Sequence, residues 1–158
     1  MLIQQTWSAL YMLENLIKRQ KFDLIVELGT NKEGLSKFFC VHNCNYVGYD
    51  IKYGAGNDIY SKEVQDEVRG YIEESRKAMI FCDAGRNRVG PIREYSKLLR
   101  VGDFILAHDY GRSQWWNYYV PESFLDELPG LGLDTYRQDE FDRMLTFILC
   151  MRKVLLKD

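Results

Sequence analysis

The chain has 158 residues, of which 46% are hydrophobic and 28% are charged, and its formal net charge is −2. This balance is that of a soluble globular protein, and the length suits one domain over residues 1–158. The chain lacks the excess of lysine and arginine that nucleic-acid binding requires, and no apolar run approaches the roughly 20 residues of a transmembrane helix. We therefore expect a single cytoplasmic domain that binds neither nucleic acid nor membranes.

Strand and helix signals alternate through the first two thirds of the chain. Apolar residues at spacings of three and four predict a helix over residues 3–19, and a nearly continuous apolar run predicts a buried strand over 22–28 that ends at Gly29. The same signals predict helices over 32–41 and 92–100 and strands over 46–51, 78–83 and 103–107. Alternation of this kind predicts a mostly parallel sheet with helices on both faces.

The stretch between the second strand and residue 78 is less regular. Ser61 is a candidate N-cap for a helix that continues to about Ser75, because an acid follows it in the first turn. Residues 57–60 just before it are a candidate vestigial strand. The stretch is also short for two strand–helix units, which indicates that one helix is missing here.

The pattern changes after Tyr110. Pro121 begins a short predicted helix that continues to about Leu128. Two strands are predicted over 133–137 and 144–153, separated by a polar turn. Two neighbouring strands joined in this way predict an antiparallel hairpin at the edge of the sheet.

Four cysteines are present, and two of them, Cys82 and Cys150, lie inside strand-like apolar runs. Thiols in such runs are expected to be buried and reduced rather than joined in a disulfide framework. Cys40 and Cys44 flank His42 in a spacing that could bind zinc. Structural zinc normally takes four ligands in paired clusters, and no second cluster accompanies them, so the zinc interpretation is weak.

An acid and a glycine mark the end of the first predicted strand, and a second acid follows about twenty residues later. Gly29 would allow a close approach of the backbone to a ligand, with Glu27 beside it to bind a charged group. Asp50 ends the second strand, where a ribose hydroxyl pair needs an acceptor. A simple tight turn is the alternative for Gly29, and a dinucleotide-binding domain would normally carry a richer glycine loop.

This order of elements resembles the class I S-adenosylmethionine-dependent methyltransferases, whose motifs can be matched in turn from residue 22 to residue 111. The resemblance implies a compact, Rossmann-like α/β fold with a mostly parallel sheet, a C-terminal antiparallel hairpin and helices on both faces. It implies S-adenosylmethionine as the cofactor, with its methionine part at the glycine turn, its ribose at Asp50 and its adenine near Asp58. The residues it assigns to the cofactor are Glu27, Gly29, Thr30, Asp50, Ile51, Asp58 and Asp83.

The stretch from residue 98 to residue 110 resembles the fifth strand of small metal-dependent O-methyltransferases and of the cephalosporin-hydroxylase-like group. By this resemblance Asp83, His108 and Asp109 are candidate ligands for a divalent cation, Mg²⁺ or Mn²⁺, which would lower the pKa of the acceptor hydroxyl. His108 and Asp109 are also the candidate catalytic residues. An unperturbed histidine has a pKa near 6.5, which suits a general base, and Asp109 could orient it or replace it.

The sequence departs from the metal-dependent pattern at two positions. Arg86 stands where a lysine is usual, and His108 replaces the first acid of the usual pair. Arg86 cannot act as a base, because a guanidinium stays protonated, so Arg86 and Arg88 are candidates to hold an anionic substrate instead.

Four aromatic rings lie close together at Trp115, Trp116, Tyr118 and Tyr119, directly after the predicted site. They could stack on a sugar or planar substrate, or they could pack against the core or a second copy of the chain in a homo-oligomer.

The sequence therefore predicts a methyltransferase that modifies a hydroxyl of a small molecule or saccharide. The alternative is a non-catalytic binding or assembly module that retains the fold, with or without the cofactor pocket. The missing helix and the irregular motif after Asp83 favour this alternative.

Overall fold

All the strands of the computed structural model, which describes residues 6–30, 34–42, 44–49, 58–84, 88–111 and 120–156, join one six-stranded sheet. The strands are β1 (Leu24–Leu28), β2 (Asn45–Tyr49), β3 (Ala78–Cys82), β4 (Phe104–His108), β5 (Leu133–Thr135) and β6 (Ile148–Lys153). The α-helices are α1 (Trp7–Gln20), α2 (Gly34–Cys40), α3 (Lys62–Glu74), α4 (Val89–Tyr95) and α5 (Gln138–Arg143), and two 3₁₀ turns cover Glu122–Glu127 and Pro129–Leu131. None of the helices described is both long and apolar enough to cross a membrane.

The strand order is β2-β1-β3-β4-β6-β5, with β1 to β4 parallel and β6 antiparallel to both of its neighbours, β4 and β5. The predicted α/β class, the mostly parallel sheet and the C-terminal hairpin are confirmed. The chain runs from β1 to β2 on one side and then crosses to β3 on the other side of β1. Open α/β sheets bind ligands at such a reversal, in the crevice beyond the carboxyl ends of the strands.

The register aligns the carboxyl ends of the central strands. Leu28 is paired with Tyr49 on one side and Cys82 on the other, and Cys82 is paired with Ala107. The residues that follow these positions therefore lie at one edge of the sheet. This edge carries the predicted site.

Alternating side chains of the central strands build a separate apolar layer on each face. All five residues of β1 and of β3 are buried. Val26 and Ile80 pack with residues of α3 and α4, whereas Ile25 and Met79 pack with residues of α1 and α2. Burial on both faces explains why these strands read as continuous apolar runs rather than as alternating ones.

Residues 58–60 form a turn, so the predicted strand over 57–60 is wrong where the structure describes it. The Asp58 side chain accepts a hydrogen bond from the Tyr60 amide at 2.9 Å, and the Asp58 carbonyl accepts one from Ser61 at 2.8 Å. This local bonding competes with strand pairing. The Ser61 N-cap is confirmed, since its hydroxyl accepts a hydrogen bond from the Val64 amide at 3.2 Å.

The predicted strand over 144–153 begins later, at Ile148, and the predicted polar turn before it contains α5. Leu145 and Phe147 have φ angles of 51° and 54°, which extended strand does not allow. An i,i+4 ion pair between Arg143 and Asp139 supports α5 instead. Similarly, Arg137 has a φ of 52°, so β5 ends at Thr135 rather than at residue 137.

Cysteine burial provides a direct test of the strand assignments. Cys82 and Cys150 are fully buried in β3 and β6, and burial raises the pKa of Cys82 to about 12. Cys40 is exposed. We expect a thiol reagent to label Cys40 rapidly in the native protein and to label Cys82 and Cys150 only after unfolding, as measured by peptide mass spectrometry. Labelling of Cys82 as fast as Cys40 would contradict the burial of β3.

Candidate functional site

The turn after β1 is wedged between the ends of β2 and β3. Gly29 has a φ of 104°, and a Cβ atom there would lie 2.6 Å from the backbone of Ala84. Its amide donates to the Tyr49 carbonyl at 2.7 Å, while the Asp83 amide donates to the Leu28 carbonyl at 2.8 Å. Only glycine satisfies both the backbone angle and the close approach. The tight-turn interpretation is therefore supported, and the turn also leaves the edge of the sheet free of a side chain at this point.

Glu27 faces into the protein rather than into solvent. Its side chain accepts a hydrogen bond from the Tyr46 hydroxyl at 2.6 Å and a long one from Ser36 at 3.5 Å, and the residue is 1% exposed. Burial raises the pKa of Glu27 to about 7, despite these hydrogen bonds and with a smaller contribution from the charge of Asp83. In this arrangement Glu27 links β1 to β2 and α2 beneath the glycine turn. A direct contact of Glu27 with a cofactor stays a prediction.

Of the other predicted cofactor residues, one lies at the glycine turn and one lies on the surface. Thr30 continues the glycine turn and packs so closely on Gly48 that a Cβ atom at Gly48 would lie 2.4 Å from the Thr30 methyl carbon. Asp58 is exposed and binds its own turn. Asp50 and Ile51 lie outside the described residues.

Asp83, His108 and Asp109 converge at the carboxyl ends of β3 and β4, as the sequence predicts. One ligand atom from each of the three side chains lies within 4.8 Å of the others, and this is the sole group of three such side chains found among the described residues. His108 Nδ1 lies 3.4 Å from an oxygen of Asp83 and 3.4 Å from an oxygen of Asp109. Within the part of the chain that the structure describes, Cys40 and Cys44 belong to no such group.

The backbone of Asp109 explains how neighbouring residues reach the same cluster. Successive residues of a strand point to opposite faces, so His108 and Asp109 would diverge if β4 continued. Asp109 instead has a φ of 63°, in the left-handed region that aspartate tolerates better than most residues. Hydrogen bonds from Val120 to the Asp109 carbonyl and from the next amide, Tyr110, to Phe147 hold this turn. The strained residue thus turns both side chains towards Asp83.

Arg88 completes the cluster, and the sequence assigned it a different role. One guanidinium nitrogen, Nη2, lies 2.7 Å from Asp83 Oδ1 and 3.1 Å from Asp109 Oδ2, and the residue is 7% exposed. The Nη2 atom is therefore directed at carboxylates rather than at an anionic substrate. Arg88 follows Asp83 by five residues, between the end of β3 and the start of α4. This short spacing is the signal in the sequence that could have indicated the contact. Arg86 and the aromatic residues 115–119 lie outside the described residues.

The electrostatics of the cluster favour the charged forms of His108 and Asp109. Burial by itself would lower the pKa of His108, but the hydrogen bonds and charges of Asp109 and Asp83 outweigh it and raise the pKa to about 9. Burial would raise the pKa of Asp109, but His108 and Arg88 outweigh it and hold this pKa below its usual range. At neutral pH His108 is therefore a cation, which differs from the unperturbed value assumed from sequence.

These residues, in this arrangement, do not fit a divalent cation. Two carboxylates face one guanidinium and one imidazolium, so the formal charges of the four groups cancel. A metal would have to replace the guanidinium that lies between Asp83 and Asp109.

The chain has the fold of S-adenosylmethionine-dependent methyltransferases. The sequence matches no family model and no curated protein. The apo-structure of CmcI is 16% identical and superposes over 97% of this chain and 73% of its own length, with a TM-score of 0.70. MycE, a methyltransferase of mycinamycin biosynthesis in complex with Mg and S-adenosylhomocysteine, is 10% identical with a TM-score of 0.60. Human N-acetylserotonin methyltransferase in complex with S-adenosylmethionine is 12% identical with a TM-score of 0.54.

The lengths of these neighbours differ from that of the chain. The superposition covers 94% of this chain with either methyltransferase, but only 49% of MycE and 51% of the human enzyme. At these identities the likeness shows the fold alone, and function has to be argued from the side chains at the site.

Glu27 provides a pH test of the turn beneath the site. A raised pKa means that the folded state prefers the neutral acid, so stability is greatest below the unfolded value of about 4.5 and is lost as pH rises to about 7. Glu27→Gln removes this titration. Denaturant unfolding should show the variant gaining about 3 kcal/mol relative to wild type between pH 4 and pH 8. The exposed Glu63→Gln is the control and should follow the wild-type profile; a Glu27→Gln profile parallel to wild type would contradict the buried position.

Proposed function

We propose that the protein is an S-adenosylmethionine-dependent methyltransferase that methylates a hydroxyl group of a small molecule or saccharide. The observation that carries the proposal is the partly buried cluster of Asp83, Arg88, His108 and Asp109 beside the glycine turn, at the strand reversal of a methyltransferase fold. Buried charged groups are costly to a fold, and they concentrate where an enzyme needs shifted pKa values.

The residues at the strand reversal fit the cofactor. Gly29 projects no side chain into the crevice, and the main chain of Thr30 continues the turn against β2. Asp83 is 23% exposed and is the acid at this edge that could receive the ammonium group of the methionine part. Asp50 is the sequence-based candidate for the ribose, and Ile51 beside it is a further sequence-based candidate for cofactor contact. When bound, the cofactor would supply an electrophilic methyl group on its sulfonium sulfur.

The acceptor hydroxyl needs a group that takes its proton. His108 directs Nδ1 at Asp83 and Asp109, which leaves Nε2 as the atom for the substrate. The carboxylates hold the Nδ1 proton in place, so the neutral imidazole offers a lone pair at Nε2, as in other histidine–aspartate pairs. Orientation of the hydroxyl by the cluster would supply the remainder of the rate enhancement.

The non-catalytic module remains the second candidate function, and one observation favours it. Because the pKa of His108 is about 9, only about 1% of the imidazole is neutral at pH 7. The cluster could therefore be a structural brace beside a cofactor pocket. Binding and turnover separate the two functions.

Cofactor binding is tested by calorimetry with S-adenosylhomocysteine. The wild type should bind, and Asp50→Ala should lose roughly 1–3 kcal/mol because a charged acceptor for the ribose hydroxyls is removed. Asp66→Ala, an exposed acid of α3, is the matched control and should bind like wild type. Equal affinity of a folded Asp50→Ala variant would remove this residue from the pocket. Absence of binding by wild type would refute the methyltransferase and leave a module that keeps the fold without the cofactor pocket.

Turnover is tested with a panel of phenols, catechols and sugars. If His108 is the base, kcat/KM should rise about tenfold per pH unit from pH 7 and level off near pH 9, because the deprotonated form is the active one. His108→Gln should lower turnover by about a hundredfold or more and abolish this rise. His42→Gln replaces the other histidine of the chain and should keep the wild-type profile. Tight cofactor binding without product from any acceptor would favour the non-catalytic module.

A further inference from the structure

Arg88 occupies the position between the two carboxylates that a bridging cation would take. A single atom, Nη2, contacts both Asp83 and Asp109, at 2.7 and 3.1 Å. The side chain is 8% exposed, so solvent screens these contacts little. The two carboxylates directly follow different strands, β3 and β4, and Arg88 directly precedes α4, so the contacts link three segments of the chain.

An arginine buried in this way cannot be neutralised. Its pKa is above 12 in proteins, and a buried guanidinium is tolerated only where acids surround it. The same rule holds for Asp83 and Asp109, which need a cation close by. The guanidinium of Arg88 needs the two carboxylates, and the two carboxylates need a cation. Arg88, which is part of the chain, is that cation.

We propose that Arg88 is a built-in cation that takes the place of a divalent metal ion between Asp83 and Asp109. The site therefore functions without a bound metal, and the two acids become a metal site only when the guanidinium is removed. This inference concerns cation binding and holds whether or not the protein catalyses methyl transfer. A protein that binds a metal ion at the same edge of this fold would need the two acids free of such a guanidinium, and this chain differs from it in that respect.

The test is a titration with Mn²⁺ near neutral pH, in which free Mn²⁺ is followed by electron paramagnetic resonance. The wild type should bind no Mn²⁺ at micromolar concentrations. Arg88→Gln should bind one ion per chain, at least about tenfold more tightly than wild type, because the guanidinium no longer occupies the space between the two carboxylates. The double variant Arg88→Gln/Asp109→Asn should lose this binding.

Arg93→Gln is the matched control. Arg93 also forms a pair of hydrogen bonds with a carboxylate, Glu127, but on the protein surface. Its removal should not create Mn²⁺ binding, which separates the effect of the buried cluster from that of lost positive charge. Stoichiometric Mn²⁺ binding by wild type that Asp109→Asn abolishes would overturn the proposal. Failure of a folded Arg88→Gln variant to gain Mn²⁺ binding would also overturn it.

A second variant covers the case in which Arg88→Gln does not fold. Arg88→Lys restores the positive charge, and it should fold and bind no Mn²⁺. The melting temperature of wild type should not change when millimolar Mg²⁺ or Mn²⁺ is added, because a metal that bound the folded state would raise it. An unfolded Arg88→Lys variant, or a metal-dependent increase in the wild-type melting temperature, would contradict the assignment.

Discussion

The parallel register of β1, β3 and β4 is the constraint on which the rest of this protein depends. Because these strands are buried on both faces, a polar side chain finds little room within them, and polar groups collect where the strands end. Pairing of Leu28 with Cys82 and of Cys82 with Ala107 makes those ends coincide. The glycine turn, Asp83 and His108 therefore become neighbours although they are far apart in sequence.

The charged groups at this edge of the sheet stabilise one another, because Arg88 contacts both Asp83 and Asp109. Each of Asp83, Arg88 and Asp109 would be costly to bury alone, since an unpaired buried charge typically destabilises a protein by 3–5 kcal/mol. Together they need a precise backbone, and the left-handed conformation of Asp109 supplies it. The same contacts that permit burial also raise the pKa of His108. Stability and proposed chemistry are thus properties of one set of contacts.

The comparison with known structures shows a shared fold, and the chemistry has to be argued from the side chains of this chain. CmcI and MycE superpose on almost the whole chain, so the three proteins share one fold. A fold places a crevice, but the side chains in the crevice decide what it binds. In this chain the side chain with the largest consequence is Arg88, because a guanidinium between two acids leaves their charges compensated.

Local patterns in the sequence determined the order of the strands and helices, the Ser61 cap and the burial of Cys82 and Cys150. These features depend on neighbouring residues or on the length of an apolar run, and both are visible in one dimension. The helix α5 and the turn at Asp58 were missed because side-chain bonds within a few residues overrode the apolar pattern.

Tertiary structure alone decided the chemistry of the site. The sequence identified Asp83, His108 and Asp109 as neighbours from the parallel sheet, and the structure confirms that they converge. The sequence alone could not place Arg88 between the acids, and it could not give the pKa of His108. Both depend on distances of about 3 Å across different strands, and electrostatic interactions act through such distances rather than through sequence spacing.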